Sequence, residues 1–103
     1  MVIEDIIPNL PKSKEGIAKA YQNCFRNKKF ILVENDDFQK FLEKAKSDFL
    51  NAKTDMESEA WDWVVIKCYY SLHHTINALL VKKQGFYSKD YICAILALNY
   101  FEL

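Results

Sequence analysis

Between residues 61 and 83 the chain reads WDWVVIKCYYSLHHTINALLVKK, with no Gly, no Pro and few ionic side chains. Trp61, Val64, Val65, Cys68, Leu72, Ile76 and Leu79 recur at the three- and four-residue steps of a helix, which predicts one apolar stripe turned to a core. The opposite side, Trp63, Ile66, Tyr70, His73, Asn77 and Val81, is aromatic and polar rather than charged. A helix that is apolar or aromatic nearly all round is a central helix, packed on several sides. It is too short and too polar to cross a membrane, since it carries Asp62, Lys67, two histidines and Asn77.

The remaining composition agrees with a helical frame around that segment. Two Gly and two Pro in 103 residues argue for long helices and against a turn-rich β fold. Half of the residues are hydrophobic, enough for one packed domain over 1–103. Fourteen basic residues balance fourteen acidic ones, so no global charge draws the chain to nucleic acid. Locally, residues 1–30 hold six basic against three acidic groups, and 34–62 hold nine acidic against four lysines. Such asymmetry reads first as solvated faces. Cys24, Cys68 and Cys93 sit among apolar residues at wide spacing, without a CxxC pair. With no leader in view, that pattern predicts reduced, buried thiols in a cytoplasmic protein.

In order, Pro8 and Pro11 break residues 1–12 into an irregular arm anchored by Ile3, Ile6, Ile7 and Leu10. Ser13 is placed to cap a helix over 14–27, whose apolar face is Ile17, Ala20, Tyr21, Cys24 and Phe25. Residues 30–33, FILV, are β-prone but without a second such run in the chain, so they are expected as an extended connector tucked against helices, with an intermolecular strand as the alternative. A helix starting at Asn35 or Asp36 presents Phe38, Phe41, Leu42, Ala45, Phe49, Ala52 and Met56 on one face. Thr54 to Ser58 reads as a polar link, with Ser58 capping the central helix. Lys82, Lys83 and Gly85 mark its end. Ser88 is placed to cap a last helix, SKDYICAILALNYF, apolar enough that one face is expected beneath another segment or a partner subunit.

The segments FLEKAKSDFLNAK (41–53) and WDWVVIKCYYSLHHTINALLVKKQGFYSKDYICAILAL (61–98), with the polar link between them, resemble the HEPN domain. A Trp before the central apolar run, Tyr69-Tyr70-Ser71 followed by His73 and His74, and Ala78-Leu79-Leu80 leading into a Lys-Gly turn carry the likeness. It covers 36–103; the arm and short helix of 1–35 are not explained by it. The resemblance implies an all-α, up-and-down bundle of about four helices, usually a homodimer. It also implies nucleotide binding, RNA cleavage, or toxin–antitoxin pairing with a nucleotidyltransferase-type partner. Ribonucleases of this kind use an Arg, a short polar spacer and a His. Here the single Arg is Arg26, far from His73 and His74, so no Arg-x4–6-His occurs. The expectation is therefore a non-catalytic module for association and for nucleotide or RNA binding. The alternative is a ribonuclease subunit whose motif lies beyond residue 103.

Tyr70, His73 and Asn77 share one side of the central helix and, with His74, are the candidate ligand-binding residues; nucleobase or phosphate recognition suits them. The competing reading is that they satisfy one another and nearby backbone inside a bundle. Adjacent histidines diverge by about 100° on a helix and cannot chelate one metal together. No metal site, cofactor, Gly-rich phosphate loop or nucleophilic triad is expected.

Overall fold

The computed structural model describes residues 10–103. Ile3, Ile6 and Ile7 of the expected arm lie outside them. Helix α1 spans Lys14–Arg26. Ser13 caps it as the sequence indicates, its Oγ accepting the Gly16 amide at 3.0 Å. A Cβ on Gly16 would meet that Oγ at 3.0 Å and the Pro11 Cβ at 3.1 Å, so the glycine gives Pro11 room beside the cap. After α1 come β1 (Phe30–Leu32), a 3-10 turn (Asn35–Asp37), α2 (Phe38–Glu57), α3 (Trp61–Gln84), β2 (Phe86–Ser88) and α4 (Tyr91–Tyr100). The result is an all-α bundle with one small sheet.

That sheet corrects the expectation of an unpaired connector. β1 and β2 are antiparallel, with Phe30 opposite Ser88, Ile31 opposite Tyr87 and Leu32 opposite Phe86. The partner strand is three residues squeezed between two helices, too short to show a period of two in the sequence.

The helix ends are unusual. Lys28, Glu59 and Glu102 take left-handed φ values of 57°, 60° and 56°. After each, the next amide returns to a carbonyl five residues back: Lys29 to Cys24, Ala60 to Asp55 and Leu103 to Leu98. These are Schellman turns built without glycine. A non-glycine residue in this region costs about 1–2 kcal/mol, which the two returning amide bonds of each turn help to offset. Gly85 alone plays the expected part, ending α3 at φ 78°. Two expected caps move. Ser58 closes α2, which runs on to Glu57, while α3 starts after Ala60 with no side-chain cap. Ser88 ends β2, and Asp90 caps α4 by accepting the Cys93 amide at 3.1 Å.

Helices α2 and α3 form a long antiparallel hairpin. Ala45 and Ala52, seven residues apart, are buried along its seam, where small side chains let the helices approach closely. Ser71 Oγ donates to the Ala45 carbonyl at 2.8 Å. Asp55 meets Lys67 at 2.5 Å and Asp48 meets His74 at 3.6 Å, one register throughout. Here the expected core stripe of α3 fails in part. Ile76 is buried, but Trp61, Val65, Cys68 and Leu72 are exposed. Burial is confined to His73, Ile76, Asn77, Ala78, Leu80 and Val81, all in the C-terminal half. That half has β2 and α4 beside it, whereas toward the hairpin tip the described neighbour is α2.

The core lies where α1, α4 and the sheet meet the root of the hairpin. Tyr21, Ile76, Leu80, Phe86, Ala94 and Ala97 form its main cluster, with Phe30 and Phe101 packed on it. Tyr21 stacks on Tyr100 at 4.2 Å and meets Phe101 edge-on at 5.5 Å. Thus α1, not a partner, covers most of α4; Ile92 remains exposed. The expectation of three reduced thiols is also corrected. Cys24 of α1 and Cys93 of α4 are joined in a disulfide, leaving Cys68 as the free cysteine. The pairing was invisible in the sequence because 69 residues separate the two. Closing so long a loop stabilises by about 4 kcal/mol on chain-entropy grounds. Cys93→Ser should therefore lower stability by about 2–4 kcal/mol in urea unfolding, and added reductant should reproduce the shift in the parent chain.

Candidate functional site

Along the outer side of the hairpin, α2, α3 and the residues around β2 enclose an open notch of about 310 Å³. This is at the small end of the volume range of ligand pockets. Its walls place the four sequence candidates together, but in two different roles.

His73 and Asn77 are spoken for. The Ser88 carbonyl accepts from His73 Nε2 at 2.9 Å and from Asn77 Nδ2 at 2.9 Å. Asn77 Oδ1 in turn accepts the Ser88 amide at 3.2 Å. A carbonyl only accepts, so the His73 proton sits on Nε2. All three residues are buried, and both side chains are satisfied by the Ser88 backbone. Their product is positional. They lock one strand residue against α3, and Ser88 Oγ accepts the Asp90 amide at 3.1 Å, which carries the lock on to the cap of α4. With Ser88 turned inward, its neighbours Tyr87 and Lys89 line the notch instead.

The other side chains that line the notch are Tyr70, His74, Lys44, Tyr87 and Lys89, with Phe41 beside them. Phe41 packs on Tyr87 at 4.9 Å, and Lys44 Nζ stands 5.8 Å from the Phe41 ring centre. Tyr70, Lys44 and Lys89 are exposed at the rim. Sequence reading missed Lys44, Tyr87 and Lys89. Lys44 lies one turn before Asp48 on α2, and alternation about Ser88 would have found the other two, had β2 been seen as a strand.

His74 lies at the back, its Nε2 3.6 Å from Asp48 and its Nδ1 buried without a hydrogen-bond partner. Burial pushes its pKa below the ordinary 6.5; Asp48 opposes the shift, while Lys44 and His73 add to it. His74 and His73 are engaged by different partners, and among the described residues no cluster of three His, Cys, Asp or Glu can hold a metal ion. Nor is any described helix long and apolar enough to cross a membrane. Arg26 is on α1, hydrogen-bonded to Asn23, and does not line the notch.

Asn77→Ala removes both bonds to the Ser88 backbone and leaves buried groups unpaired. We expect a loss of about 2–3 kcal/mol in denaturant unfolding, with weakened amide protection at Ser88. Because the folded state disfavours protonated His74, the unfolded chain takes up that proton first. Its contribution is complete above about pH 6.5 and is lost as pH falls below it. A His74→Gln variant should show a flatter stability profile across that window.

Comparison with known proteins gives one match. The sequence model of the HEPN domain aligns with residues 38–98, from the start of α2 into α4, leaving α1 and β1 outside. Searches of curated proteins and of solved structures return no match.

Proposed function

The chain belongs to the HEPN domain family, and from that membership we propose a self-associating binding module that takes a nucleotide or RNA phosphate at the notch. The observation that carries the reading is the pairing of two ammonium groups, Lys44 and Lys89, with the rings of Tyr70 and Tyr87 around one open cavity. Cations supply a site for phosphate, and an exposed aromatic face supplies one for a base; stacking of this kind tolerates any base.

No cleavage step is assigned to this site. The ring nitrogen of His73 is bonded to Ser88, and the notch holds no guanidinium to stabilise a developing phosphorane. Recognition and association are the roles its residues can fill. Association runs through a second copy or through a nucleotidyltransferase-type protein, as the family resemblance implies.

Titration with a mononucleotide and a short single-stranded RNA, followed by tyrosine fluorescence and calorimetry, tests the reading. Lys44→Ala and Lys89→Ala should each weaken binding by about tenfold, and affinity should fall steeply with salt. Binding untouched by both substitutions would remove the notch as the site.

A further inference from the structure

The notch takes Tyr70, His73, His74 and Asn77 from α3. By helical phase, Thr75, Leu79 and Lys82 point the other way, and there the root of the hairpin opens into a second groove of about 430 Å³. Three helices build it. Phe38 and Leu42 come from the start of α2, Ile76 and Leu79 from α3, and Leu98 from α4. Ile76 and Leu98 also belong to the packed core, so the groove is floored by the core itself. Its volume is that of a small-molecule site, and apolar walls with very few polar groups are how such sites are made.

The polar groups of this groove decide the class of ligand. Thr75 donates its hydroxyl proton to the Ser71 carbonyl at 2.8 Å. Lys82 is the one charged side chain in the lining, and its Nζ stands 4.9 Å from the Phe38 ring centre. Among the described residues no carboxylate pairs with it, and Asp37, beside Phe38, is engaged by Lys40 at 3.3 Å. An apolar slot with a single ammonium at one end matches a molecule that is apolar along its length and anionic at one tip. A nucleotide does not suit it, since the sugar and further phosphates would lie unpaired against Leu42, Leu79 and Leu98. We propose that the groove binds one molecule of a free fatty acid, its carboxylate on Lys82 and its tail laid along α3 past Leu79. Such a carboxylate is ionised at neutral pH, so its bond to the ammonium is charge-assisted. From Lys82 to Thr75 the helix rises about 10 Å, and the exposed Leu72 continues the apolar track for a longer tail. A groove walled by three helices surrounds one chain, which a bilayer surface cannot enter. The site is separate from the notch and does not depend on nucleotide binding.

Calorimetric titration with octanoate, decanoate and dodecanoate, each below its micelle concentration, tests the site. We expect one molecule bound per chain, tightening about fourfold for each methylene the groove buries. Lys82→Glu should weaken dodecanoate at least about tenfold and should bind dodecylamine instead. Lys82 is exposed, so that variant should keep the parent's circular dichroism. Lys53 also stands over a ring, 5.1 Å from the centre of Phe49, but outside the groove. Lys53→Glu should therefore leave dodecanoate binding unchanged. No saturable binding, or binding that Lys82→Glu and Lys53→Glu alter alike, overturns the site. Retention on phosphatidylglycerol vesicles without binding of the soluble acid gives the face to a membrane surface and overturns it too. So does a dimer in sedimentation that takes up no dodecanoate, since a second copy then fills the groove.

Discussion

The three hydrogen bonds between Ser88 and the pair His73 and Asn77 hold the two halves of the molecule together. Without them, β2 would be a short extended link with nothing to fix its register. With them, β2 offers its edge to β1, β1 follows the left-handed turn at Lys28, and α1 is delivered onto α4. The same bonds aim Tyr87 and Lys89 into the notch. Polar groups buried beside Leu80 and Val81 are tolerable because every atom that faces Ser88 is paired.

The hairpin divides the work between its two sides. One side carries the Asp55–Lys67 ion pair, the Asp48–His74 contact and the notch. The other carries the side chains that a central helix would bury, set in solvent. What separates the sides is the seam, where Ala45 and Ala52 are buried and larger side chains such as Leu42 and Phe49 stay exposed. HEPN membership rests on this hairpin and the start of α4, since the family match begins at Phe38.

Much of the frame was legible in the sequence. Ser13, Gly85 and the long periodic runs placed α1, α2 and α3, because caps and 3.6-residue spacing act locally. Periodicity did identify the apolar stripe from Trp61 to Leu79; it could not tell an intramolecular core from a face left open. Neighbours at long sequence distance decided the rest. Phe30 pairs with Ser88, Cys24 with Cys93, and Lys44 shares a cavity with Lys89, and none of these relations leaves a local mark. Of the site candidates, Tyr70 stands at the rim of the notch and His74 lies at its back beside Asp48, while His73 and Asn77 are hydrogen-bonded to Ser88.

The disulfide has a consequence for the order of assembly. The α2–α3 hairpin closes over residues 58–60, a contact that costs little loop entropy and can form early. The meeting of Cys24 with Cys93 requires α1 to return across the whole hairpin, and the sheet that guides it joins equally distant segments. On loop entropy, the Cys24–Cys93 contact is the costlier of the two to close, and the disulfide acts as a latch that holds α1 on the rest of the structure. Without that latch, α1 is held by its packing on α4 and by the β1–β2 pairing alone, both between segments far apart in sequence.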